Sequence, residues 1–182
     1  MFEKAATHAG GGAEERRKLL LKTADMLEKA GKPDRLTTLI DSGTEAGHII
    51  DRDKPAFLYR LAMAEAASGD EGKAYSTLKA LSKDKLDPFH AAKAAFAASN
   101  MKLDEYLETK IKDPVTASFE KKETKMKELL AGCGAAIKSG YAEFMASSFY
   151  NMGMVLEDFK DSLLSSSRPS DLSDDELKEY DY

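Results

Sequence analysis

Tryptophan is absent, cysteine occurs once and proline only five times in the 182 residues. The single thiol, Cys133, excludes an internal disulfide framework and leaves the redox compartment open. Few prolines mean few enforced breaks, and runs rich in β-branched residues are scarce, so strands have little support. No apolar run approaches the ~18 residues of a membrane span. The N-terminus, MFEKAATHAGGG, lacks the apolar core of a signal peptide. An excess of positive charge is missing too: the net charge is −5, and six acids against two bases between Arg168 and Tyr182 account for most of it. An almost neutral body with an acidic tail argues against a nucleic-acid footprint, which needs a basic face.

What is present is helical periodicity. From Ala13 to Ala30, Leu19, Leu20, Thr23, Ala24, Leu27 and Ala30 form one apolar side, and Gly31 ends the segment. Pro33 and Asp34 open the next, where Leu36, Leu39, Ile40, Gly43 and Gly47 repeat at helical spacing. Its two glycines predict close approach of another backbone, and Ile49 and Ile50 are expected to be buried.

The clearest unit runs from Lys54 to Asp87: two helices folded back across Ser68-Gly69-Asp70. Pro55 suits a first turn, Gly69 a left-handed helix end and Asp70 an N-cap. Asp87-Pro88 opens a third pair in the same way, with Asn100 as its turn and a return helix over Leu103 to Lys112. Asp113-Pro114 opens a fourth, whose first helix carries Val115, Phe119, Met126, Leu130, Cys133 and Ile137. Its second helix, Tyr141 to about Ser166, places Phe144, Met145, Ser148, Phe149, Met152, Val155, Leu156, Phe159 and Leu163 on one stripe. The turn centres Gly31, Gly69, Asn100 and Gly140 recur at roughly 30 to 40 residues, the mark of a helical repeat. The expected fold is all-α, an α-solenoid of about four antiparallel helical hairpins. Residues 1–12 read as a flexible segment holding a short helix over Phe2 to His8, residues 13–167 as the repeat domain, and residues 168–182 as the start of a further helix. Ser173 and Glu176 would form a capping box there.

The pattern 55–87 resembles a tetratricopeptide repeat. Leu58, Leu61 and Ala62 stand at the family's first-helix positions, Gly69-Asp70 at its turn, Ala74 and Leu78 at the small and large positions of the second helix, and Pro88 at its close. Leu58 replaces the family's aromatic, Ala62 its glycine and Glu65 its usual tyrosine. The resemblance implies a right-handed superhelix whose first helices line a concave, partner-binding face. Carried onto this chain, that face would present Tyr59, Met63, Ala66 and, from the next pair, His90 to a protein or peptide. Residues 149–182 are similar to segments of large bacterial envelope-associated repeat proteins, which implies a section of a longer chain with further repeats beside it. Cytoplasmic and envelope-associated locations both fit these resemblances.

No constellation for catalysis, cofactor or metal emerges. His8, His48 and His90 lack a second ligand at i+4. Cys133 lies on an apolar stripe with no base in view and reads as a small buried hydrophobe. The acidic run Asp171 to Glu176 lacks the central glycine of a calcium loop. Gly10-Gly11-Gly12 lacks the lysine of a phosphate loop. Lys121, Lys122, Lys125 and Lys127 interleave with Glu120, Glu123 and Glu128 and read as a solvated helix face. Tyr150 and Met154, off the main stripe, would receive a neighbouring repeat or form an adaptable patch. The expectation is a non-catalytic binding scaffold. The alternatives are a structural spacer in a larger envelope protein and, with less support, an all-α enzyme.

Overall fold

Seven helices and no strands make up the residues described by the computed structural model, 12–166 and Asp175. They are α1 (Ala13–Lys29), α2 (Pro33–Glu45), α3 (Lys54–Ala67), α4 (Glu71–Leu81), α5 (Pro88–Glu108), α6 (Val115–Lys138) and α7 (Ala142–Leu164). The expected helix at Phe2 to His8 and the capping box at Ser173 and Glu176 lie outside the described residues. Among those described, no helix is long and apolar enough to cross a membrane.

Local chemistry sets most boundaries. Pro33, Pro55 and Pro88 occupy first-turn positions, where the missing N–H leaves no bond unmade. The carboxylates of Asp70 and Asp87 accept from the Lys73 and His90 N–H groups at 3.2 and 3.1 Å, capping α4 and α5. Gly31, Gly69 and Gly140 take positive φ at the ends of α1, α3 and α6.

Asn100 does not turn the chain. α5 runs unbroken from Pro88 to Glu108, absorbing Leu103 to Glu108 of the expected return helix. Asparagine is tolerated inside a helix when tertiary contacts hold it, and the Asn151 amide of α7 donates to Asn100 Oδ1 at 2.6 Å. α5 stops instead at Thr109, whose backbone is extended.

The packing order is regular. Each helix touches the next in sequence, and the odd-numbered helices also touch in succession, α1 with α3, α3 with α5 and α5 with α7. Even-numbered helices do not touch one another. Odd neighbours run parallel, as the pairs Arg17–Asp53 and Asp25–Arg60 show for α1 and α3. Sequential neighbours run antiparallel: Phe119 meets Phe159 while Ala136 packs with Phe144. The core is correspondingly divided. Leu20, Leu27, Leu36, Leu39 and Phe57 join α1, α2 and α3; Ala62, Leu78, Leu81 and Ala94 join α3, α4 and α5; Tyr106, Leu129 and Val155 join α5, α6 and α7.

Three sequence expectations are corrected by this packing. Gly43 meets no second backbone; a Cβ there would lie 2.6 Å from Cδ1 of Ile49, which folds back onto α2. Ile49 is buried but Ile50 points outward. On α7 the apolar stripe divides: Phe144 and Val155 face the core, together with Ser148 and Ser162, while Phe149 and Leu156 are 57% and 50% exposed. Tyr150, off the main stripe, is 68% exposed.

Candidate functional site

The face proposed from sequence lies where α1, α3 and α5 meet. Tyr59 projects from α3 toward α5, where the Lys93 ammonium sits 4.2 Å from its ring centroid and the His90 ring lies 6.4 Å away. A cation over an aromatic face is held by the ring's quadrupole. His90 is itself fixed: its Nδ1 lies 2.6 Å from Asp87 Oδ2, and Phe89 meets it edge-on at 5.3 Å. Burial raises the Asp87 carboxyl, but hydrogen bonds from the His90 backbone and ring outweigh it and hold the group below its ordinary range. Tyr59 and His90 are thus brought together. Met63 and Ala66 follow one and two turns further along α3, both half-buried.

Around Tyr59 stand Asp25 and Glu28 of α1 and Arg60 of α3. Arg60 pairs with Asp25 and donates to the Ala56 carbonyl at 2.8 Å. Burial raises the Glu28 carboxyl, with Arg60 opposing the shift. Burial likewise raises the Tyr59 phenol, and the Glu28 charge adds to the effect. The surface is amphipathic: an aromatic ring and a thioether within a rim of charged groups, of which Arg60 and Asp25 form an ion pair. Such a surface can seat an apolar side chain and orient its polar neighbours.

A second polar cluster escaped the sequence reading. Lys122, assigned there to a solvated face, is wholly buried. Its ammonium lies 2.6 Å from Asp158 Oδ2 of α7 and donates to the Thr109 carbonyl at 2.7 Å, with the Tyr106 carbonyl at 3.4 Å and the Tyr106 ring at 4.3 Å. The Tyr106 hydroxyl donates to the Val155 carbonyl at 2.8 Å. Burial, then the Asp158 charge, pushes that phenol far above its ordinary range. Lysine, tyrosine and carboxylate together could suggest acid–base chemistry. Here the ammonium is occupied by protein partners and shut off from solvent, which makes the cluster a clasp joining α5, α6 and α7. The signal was available: Lys122 lies seven residues before Leu129, in the helical register of Leu129, Cys133 and Ala136.

Cys133 is buried, and burial pushes its thiol upward, against nucleophilic use. His48 is half-buried just beyond α2, beside a shallow recess bounded by Arg17 and Asp53. His8 lies outside the described residues, as does the run Asp171 to Glu176 apart from the exposed Asp175. No group of three or more potential ligands able to hold a metal occurs among the described residues. Comparison with protein-family models, curated proteins and solved structures returns no match.

Proposed function

We propose that this chain is a non-catalytic helical-repeat scaffold, tetratricopeptide-like in architecture, that binds a protein or peptide on the face formed by its odd-numbered helices. The observation that carries the reading is the packing order. Parallel odd helices in continuous succession, each pair bridged by an even helix, are how an α-solenoid builds an inner and an outer layer. In that arrangement α3 supplies Tyr59, Met63 and Ala66 to the inner face, and α5 supplies His90 and Lys93. An extended or helical segment would lay an apolar side chain beside Tyr59 and Met63, in the manner of grooves that recognise peptides. Changing Tyr59→Ala together with Met63→Ala tests this. Capture from a lysate by the immobilised chain should yield a partner that the double variant loses by at least tenfold while its helicity is retained. Equal capture by both forms would remove the face from consideration.

A second reading, a spacer within a longer repeat protein, is favoured by α7. Its outward side carries Phe149, Tyr150, Leu156 and Leu163, all exposed, an apolar face of the kind that a further repeat covers. A chain that captures nothing through either Tyr59 or Met63 would support this second reading over the first.

A further inference from the structure

Between α4 and α6, which do not touch, a groove of about 270 Å³ opens with α5 as its floor. The floor is low because its side chains are small. Ala95 and Ala98 line it, and Gly132 lets α6 settle so closely on α5 that an added Cβ would lie 1.9 Å from Ser99 Oγ. Leu129 closes the apolar base.

One wall is cationic. Lys79 and Lys102 approach the same Tyr75 ring from two helices, at 5.4 and 4.8 Å from its centroid, and Lys83 stands beside them. Among the described residues, Lys102 has the Glu105 carboxylate at 2.9 Å, whereas Lys79 and Lys83 have no carboxylate partner. Lysines near the end of α4 complement its dipole, an effect of about 0.3–1 kcal/mol that falls off within one turn. That effect does not account for an ammonium from α5 converging on the same ring. Like charges gathered over an apolar floor are matched by negative charge arriving from outside. The opposite wall carries Glu128, so the matching partner has its acids along one edge only. The cavity is small for a cofactor and suits one or two side chains.

We propose that this groove docks an acidic peptide segment. Apolar side chains of that segment rest on Ala95, Ala98 and Leu129, and its carboxylates face Lys79, Lys83 and Lys102. Glu128 on the opposite wall disfavours a polyphosphate backbone in the same place, because such a backbone cannot confine its charge to one edge. The site draws on α4 and α6, which supply nothing to the Tyr59 face, and it stands independently of that face.

The test is fluorescence anisotropy with the full chain and a labelled amphipathic peptide of leucine and glutamate. The expected result is saturable binding that weakens with added salt and falls at least tenfold in Lys79→Glu/Lys83→Glu. Both lysines are exposed, so circular dichroism should show the fold intact. The same peptide with glutamine for glutamate should bind at least tenfold more weakly, and Lys110→Glu/Lys121→Glu, on exposed lysines elsewhere, should bind as wild type. A peptide copying residues 168–182, itself acidic, should compete for the groove. Absence of binding, equal loss in both charge-reversed variants, or equal affinity for the glutamine peptide would overturn the proposal. So would tighter binding of single-stranded RNA through the same lysines.

Discussion

Replacing Lys122 by methionine keeps most of the apolar stem and removes only the ammonium. Asp158 then loses its partner at 2.6 Å and the Thr109 carbonyl its donor at 2.7 Å. Breaking a buried ion pair from one side costs about 3–5 kcal/mol, chiefly because the orphaned charge stays desolvated. The Asp158 side chain is 22% exposed, so water reaches it, and the lower end of that range applies, about 3 kcal/mol. In a chain of this length each kcal/mol moves the melting temperature by about 2–4 °C, which gives a fall of about 6–12 °C. Urea unfolding followed at 222 nm should show the midpoint lowered with an unchanged slope. Adding Asp158→Leu removes the orphaned charge and should recover most of the loss, since a packed apolar pair often replaces a buried ion pair at little cost. A loss below about 1 kcal/mol in Lys122→Met, or a double variant as unstable as the sum of the singles, would refute the assignment of this cluster as the clasp of α5, α6 and α7.

Gly43→Ala should destabilise by about 1–2 kcal/mol, the cost of overpacking against Ile49 less the gain in helix propensity. Trimming Ile49→Val in the same chain should make the combined loss smaller than the sum of the two, measured by the same unfolding assay. Glu105 is held at about 2, against 4.5 for the free group, by hydrogen bonds from Lys102 and Lys125. A carboxyl lowered in the folded state contributes stability fully above pH 4.5, and that contribution disappears as the pH falls toward about 2. Stability profiles of wild type and Glu105→Gln should therefore converge across that window, and salt should narrow the gap between them because the group is half-exposed. Cys133 should react slowly with a thiol reagent in the folded chain and at the ordinary rate in denaturant; fast native labelling would contradict its burial.

The helical character and most element boundaries were legible in the sequence, because the rules that set them are local. Proline fixes φ wherever it stands, an aspartate caps the turn that follows it, and glycine alone enters the left-handed region without strain. Pro33, Pro55, Pro88, Asp70, Asp87, Gly31, Gly69 and Gly140 each act within a few residues of themselves. The burial of Leu36, Leu78 and Cys133 also followed from periodicity. Asn100 is different, since the side chain it meets, Asn151, lies far along the chain. The inward register of Lys122 with Leu129, Cys133 and Ala136 was visible, but its partners, an aspartate from α7 and a carbonyl at the end of α5, were not. Phe57 is buried because α3 is enclosed by α1 and α2 as well as by α4 and α5, so its covered surface exceeds any single stripe. The candidate surfaces divide in the same way. Tyr59, Met63 and Ala66 were named through the resemblance of their helix to a tetratricopeptide repeat, but the closeness of Tyr59 to His90 and Lys93 comes from the packing of α3 on α5. The cationic groove has no linear signature at all. Its walls come from helices that never touch, and only the separation of α4 from α6 across the small residues of α5 brings Lys79, Lys83 and Lys102 to one rim.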